Sequence, residues 1–106
     1  MNTQRMRDIL EKIKEYAKTV KKTSNVYKDK VFCLARSLEV GQTDTLYQVV
    51  KTIVAGGGRY SSKLVKCNVY VKSDDPTDQD IMREKRVDEL VSQGLVQVVS
   101  IKDLLN

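Results

Sequence analysis

Between residues 2 and 22 the apolar residues Met6, Ile9, Leu10, Ile13, Ala17 and Val20 recur at steps of three and four, which is one stripe of a helix. Arg7 with Glu11 and Asp8 with Lys12 stand one turn apart and support it. Thr23-Ser24-Asn25 then break the pattern and form a connector. From Lys30 the pattern changes to Val31-Phe32-Cys33-Leu34-Ala35, a continuous apolar run of strand length that suits a central parallel strand buried on both faces. After a polar loop, Thr45 and Gln48 have capping-box spacing and open a helix carrying Leu46, Val49, Val50, Ile53 and Val54, which Gly56-Gly57-Gly58 ends. Arg59-Tyr60-Ser61 predicts a short second strand and Asn68-Val69-Tyr70-Val71 a third, with Lys63 and Lys66 marking a basic turn between them. Residues 73–80 form an acidic loop around the only proline, and Asp78 or Asp80 caps a helix bearing Ile81, Met82, Val87, Leu90 and Val91 that closes at Gly94. Val96-Gln97-Val98-Val99 is a fourth strand, and Ser100 caps a last turn ending in Leu104 and Leu105. A helix followed by β-α-β-β-α-β-α predicts an α/β fold, a mainly parallel sheet with helices on both faces.

Length and charge refine this. A chain of 106 residues has room for one ordinary core. No run approaches a membrane span and no apolar signal segment opens the chain, so an intracellular, cytoplasmic protein is expected, nucleoid-associated or nuclear according to its source. The net charge of +5 is unevenly placed. Residues 1–30 carry nine Lys or Arg against four Asp or Glu, whereas residues 31–106 carry ten of each. The division suggests a basic amphipathic helix and connector over 1–27 and a neutral module over 28–106. Arg5, Lys12, Lys14, Lys18, Lys21 and Lys22 give the helix its charge, gathered toward its C-terminal end where the dipole favours cations. Such a tract beside a neutral module adds phosphate-backbone affinity, or is simply a solvated lysine-rich face. The apolar stripe itself docks on the following domain, pairs with a partner helix, or lies on a membrane; a narrow stripe favours the first two.

Most enzyme classes fail by omission. With no His there is no Ser-His or Cys-His nucleophile pair and no H-E-x-x-H metal site. Cys33 and Cys67 form no C-x-x-C pair and read as buried thiols, without a disulfide framework or zinc site. The triple glycine ends a helix, whereas a dinucleotide fingerprint opens one. Asp74, Asp78 and Asp80 match a calcium loop only in charge, since the turn Gly is missing and Lys85 stands where the bidentate Glu belongs. No cofactor, metal or small-molecule substrate is expected.

Lys30-Val31-Phe32-Cys33-Leu34, the helix ending at Gly57-Gly58-Arg59, the strand Asn68-Val69-Tyr70-Val71 and the run Glu89-Leu90-Val91-Ser92-Gln93-Gly94 leading to Val98-Val99-Ser100 and Asp103-Leu104 resemble the BRCT domain over residues 28–106. The likeness is nearest to BRCT modules of bacterial NAD-dependent DNA ligases, proofreading exonucleases and the large clamp-loader subunit. It implies a four-stranded parallel sheet in the order 2-1-3-4, first and third helices on one face and the second on the other. It also implies a non-catalytic binding module of DNA repair or replication, whose ligand is DNA, including 5′-phosphate ends or nicks. The alternative is a protein-interaction scaffold, for phosphopeptides among others. Phosphate-binding members use a Ser or Thr and a Gly after the first strand, with a Lys near the second helix. Here that pair falls on Ala35-Arg36, with Ser37 just beyond, and the helix cation on Lys85 or Arg86. Arg36 can replace the lost hydroxyl with a charge-assisted contact. The candidate phosphate and DNA surface is therefore Arg36, Ser37, Gly57, Gly58, Arg59, Lys63, Lys66, Lys85 and Arg86. Tyr47, Tyr60 and Tyr70 sit in helix or strand patterns and read as packing residues.

Overall fold

The computed structural model describes residues 3–41 and 43–105. Helix α1 spans Thr3–Thr19, and its stripe turns inward: Ile13 is buried, and the Tyr16 ring meets Tyr47 edge-on at 4.8 Å between centroids. The stripe thus docks on the chain's own core. The helix stops before Lys21 and Lys22. There the amides of Thr23 and Ser24 donate to the Ala55 carbonyl (2.8 and 3.0 Å), drawing the connector across the end of a later helix.

Strand β1 (Val31–Leu34) is followed by α2 (Arg36–Gly41) and α3 (Thr43–Ala55). The polar segment expected to be a loop is helical over α2. It escapes the periodicity rule because Glu39 takes a buried position, matched by Arg36 one turn earlier on the same helix and by Arg83, which only the fold brings near. The Thr45–Gln48 spacing lies inside α3 rather than at its start. β2 (Arg59–Tyr60) leads through a single 3-10 turn (Leu64–Lys66) to β3 (Val69–Lys72). α4 (Asp78–Ser92) is capped by Thr77 rather than by Asp78 or Asp80, with Asp80 as the reciprocal member of a capping box. β4 (Gln97–Ser100) and α5 (Ile101–Leu105) complete the chain, and the Ser100 hydroxyl accepts from the Asp103 amide at 3.1 Å.

All strand pairs are parallel and the order is β2-β1-β3-β4. Phe32, Cys33 and Leu34 stand opposite Val69, Tyr70 and Val71. Arg83 and Glu84 of α4 reach Cys33 and Tyr70, so these two side chains mark the α4 face. Alternation sends Phe32, Leu34, Val69 and Val71 to the other face. Right-handed crossovers in opposite directions from the centre put α3 and α4 on opposite faces, and α1 and α5 both pack against α3. Among the described residues no helix is long and apolar enough to cross a membrane.

Two glycines form the joint between connector and sheet. Gly57 has φ +85°, and a Cβ there would lie 3.2 Å from the Ser24 carbonyl oxygen. At Gly58 a Cβ would press on Ile53 and on Tyr27 at 3.0 Å.

Candidate nucleic-acid interface and the carboxyl end of the sheet

Two regions bring charged residues together. The first is the carboxyl end of β1 and β3, where successive crossovers leave in opposite directions, the usual position of a ligand crevice in an open α/β sheet. Asp80 fills it. Its carboxylate accepts from the Ser37 amide (3.0 Å), the Ser37 hydroxyl (2.5 Å) and the Thr77 amide (3.0 Å). Burial alone would raise the Asp80 carboxyl, but the bonds from Ser37 and Thr77 outweigh it and hold the group below the usual carboxylate range. Ser37, a candidate phosphate contact, thus has both its hydroxyl and its amide engaged by a carboxylate of the same chain.

Beside it lies a buried cluster around Glu39. Its carboxylate accepts from the Tyr60 hydroxyl and faces Arg83 at 3.4 Å and Arg36 at 3.6 Å. Burial raises the Glu39 carboxyl, opposed by Tyr60 and the two guanidiniums; burial and the same carboxylate push the Tyr60 hydroxyl up. The other nitrogen of Arg83 binds the Ser62 carbonyl (3.2 Å) and the Cys33 sulfur (2.6 Å). The neighbouring Cys67 thiol and, after it, Arg83 lower the Cys33 thiol against the cost of burial. Cys33 and Cys67 are both buried and unbridged. Among the described residues no buried side-chain nitrogen or oxygen lacks a partner, and this cluster tethers the loop after β2 to α4.

The second region is the outer flank of α1. Arg7, Glu11, Lys14 and Lys18 follow one another at helical spacing and are exposed. Lys14 and Lys18 face Gly58, Arg59 and Tyr60 of the edge strand across a furrow of about 670 Å³, which Glu11 and Glu15 also line. Lys18 pairs with Glu15 at 3.3 Å; Lys14 and Arg59 have no ion pair among the described residues. Lys12 lies on the opposite flank, near Tyr47. Lys21, Lys22 and Lys28 are exposed on the connector.

The expected site residues therefore divide. Arg59 and Gly58 join Lys14 and Lys18 at the furrow, with Gly57 in the joint behind it. Arg36 and Ser37 belong to the self-paired carboxyl end. Lys63 and Lys66 are exposed at the 3-10 turn, and Lys85 and Arg86 on α4, where Arg86 pairs with Glu89 at 2.7 Å. Arg5 falls in α1, its side chain outside the described atoms. The pairs that escape sequence reasoning are Ser37 with Asp80 and Glu39 with Arg83, whose members lie 43 and 44 positions apart. No family model, curated protein or solved structure matches the chain.

Proposed function

We propose that the chain is a non-catalytic, BRCT-like module of DNA repair or replication that binds nucleic acid through the basic helix α1 and the connector after it. The observation that carries this is the orientation of α1: its apolar stripe is consumed by docking on α3, while the lysines that hold the chain's excess positive charge point to solvent. Strand order β2-β1-β3-β4 supports the BRCT-like part, being the order expected of that family. Phosphate-backbone binding releases counterions, so affinity for a short duplex should fall linearly with salt on logarithmic axes, with a slope of about −0.9 per neutralised phosphate. A labelled duplex titrated by anisotropy at several salt concentrations measures this. Absence of binding, or a flat salt response, sinks the reading.

A protein-interaction role is the second reading. The docked stripe offers no partner an apolar helix face, but Ile81 and Met82 of α4, Leu95 before β4 and Val98 in the edge strand β4 are exposed apolar residues, Met82 at 71%. A solution mass above that of the monomer, abolished by Met82→Glu, favours it.

A further inference from the structure

We propose that Cys33 and Cys67 form a redox-active thiol pair: Cys33 attacks a small peroxide, and Cys67 then closes an intrachain disulfide with it. The pair is independent of the nucleic-acid reading above.

Tertiary placement brings the two thiols together. Cys33 lies in β1 and Cys67 just before β3. The Asn68 amide donates to the Val31 carbonyl at 3.0 Å, and the Ser61 amide to the Phe32 carbonyl at 2.9 Å, so both ends of the segment between β2 and β3 are stitched to β1. The carbonyls of that segment roof both sulfurs. Cys67 donates to the Lys63 carbonyl at 3.2 Å and lies 3.9 Å from that of Ser61. Arg83 spans the Ser62 carbonyl (3.2 Å) and the Cys33 sulfur (2.6 Å). Under this roof the two thiols are neighbours, and they are unbridged.

Their chemistry is unequal. A guanidinium against sulfur favours the thiolate, which is the nucleophilic form. The Cys67 thiol, then Arg83 and Arg36, lower the Cys33 thiol against burial and the Glu39 carboxylate. The Cys33 sulfur and burial push the Cys67 thiol up, and its hydrogen is held by the Lys63 carbonyl. Cys33 is therefore the attacking thiol and Cys67 the resolving one, as in sensor pairs where a low-pKa thiol stands beside a second cysteine.

Access selects the oxidant. Both thiols are buried, so a peroxide reaches them only when the roof lifts. The 3-10 turn within it contains no buried residue, Val65 is 83% exposed, and Lys63 and Lys66 face solvent. A segment with so few buried contacts opens at far lower free energy than the whole fold. A brief opening admits hydrogen peroxide more readily than a bulky disulfide. The Cys33 thiolate attacks one peroxide oxygen; the S–O bond forms, the O–O bond breaks, and the departing hydroxide takes a proton to become water. The Cys67 sulfur then attacks the Cys33 sulfur. The S–S bond forms, the S–O bond breaks, and hydroxide leaves with the Cys67 proton as a second water. The two sulfurs lose two electrons, and the peroxide is reduced by them.

The test treats the reduced full chain with hydrogen peroxide at neutral pH without denaturant, followed by non-reducing tryptic digestion and mass spectrometry. The product should be a monomer lighter by two hydrogens, with the peptides Val31–Arg36 and Cys67–Lys72 linked and separated again by dithiothreitol. In Cys67→Ser the reaction should stop at a Cys33 sulfenic acid that dimedone captures. Cys33→Ser should lose its remaining free thiol about tenfold more slowly than the parent, or slower still. The linked peptide of the parent decides the pairing whether or not the variants fold. A link between chains, oxidation without a link, or reaction only in urea that unfolds the chain overturns the pair. Thiol loss in Cys33→Ser as fast as in the parent overturns Cys33 as the attacking group.

Discussion

The carboxyl end of the sheet and the flank of α1 carry the same kinds of charged side chain in opposite states. At the carboxyl end the carboxylates of Asp80 and Glu39 are buried, and each is met by donors from other elements. On the flank, Lys14 and Arg59 stand in an open furrow with no ion pair among the described residues. The difference follows from burial. A buried charge is tolerated only when its partners are built in, and that pairing uses up the capacity a ligand would need. Exposed charge carries no such requirement and stays open to a polyanion. Charge density alone therefore does not locate a site.

Breaking the paired side should give the largest effect. Arg83 is only 12% exposed and holds Glu39, Cys33 and the Ser62 carbonyl together. Arg83→Ala leaves Glu39 buried with one guanidinium fewer, and should destabilise the fold by about 3–5 kcal/mol in urea titration. The folded fraction should retain duplex binding, because the furrow cations Lys14, Lys18 and Arg59 make no bond to this cluster among the described residues. A cost below about 1 kcal/mol, the scale of an exposed pair, would show that Glu39 is not held as described.

Asp80 comes next, and pH reveals its sign. Its folded carboxyl lies below its unfolded value, so its contribution is fully present above about pH 4, the ordinary aspartate value, and is lost as pH falls through the folded value. Asp80→Asn should cost about 2 kcal/mol at neutral pH, from weakened bonds to Ser37 and Thr77. The gap between variant and parent should close under acid conditions. Glu39 acts in the opposite sense: raised by burial, it favours folding in its protonated form and withdraws that contribution as pH rises through its folded value. Stability curves of the parent and Asp80→Asn recorded against pH separate the two.

These contacts also mark where sequence reasoning ends. The mainly parallel sheet was legible, because Val31–Ala35, Asn68–Val71 and Val96–Val99 are short apolar runs separated by turn residues and a helical pattern, whereas the strand order came only with the resemblance to the BRCT domain. Docking of the α1 stripe was one of the outcomes its periodicity allowed. Helix α2 was illegible, since Glu39 breaks the apolar period and its partners Tyr60 and Arg83 lie 21 and 44 positions away. Ser37 could be placed near the pocket but not assigned a bond, because only the fold sets it against Asp80, 43 positions on. Arg59 belongs to the surface that the BRCT resemblance implies, and Lys14 and Lys18 to the basic helix. The furrow that unites them is a tertiary fact.

Gly57 tests which side of the comparison the glycine joint belongs to. An alanine at φ +85° takes a left-handed conformation and brings its Cβ toward the Ser24 carbonyl, so Gly57→Ala should cost about 1–2 kcal/mol. Duplex affinity measured well below the melting transition should be unaffected, since Gly57 sits behind the furrow rather than in it. Lost affinity in a fully folded variant would make the joint part of the binding surface.

The smallest effect sharpens the open side most. Glu11 and Glu15 line the furrow among its cations, and Glu15 ties Lys18 at 3.3 Å with both side chains largely exposed. An exposed pair of this kind contributes about 0–1 kcal/mol, so Glu11→Gln/Glu15→Gln should leave stability nearly unchanged. It should nevertheless tighten duplex binding about two- to threefold at low salt, because two like charges no longer repel the phosphates and Lys18 is released to meet them. The gain should fade as salt rises, since the screening length is about 10 Å at 0.1 M and about 3 Å at 1 M. Weaker binding by this variant would place the DNA elsewhere, with the connector lysines Lys21, Lys22 and Lys28 next in line. A gain that survives high salt would have to come from a rearranged helix rather than from charge, and the helical content by circular dichroism distinguishes the two.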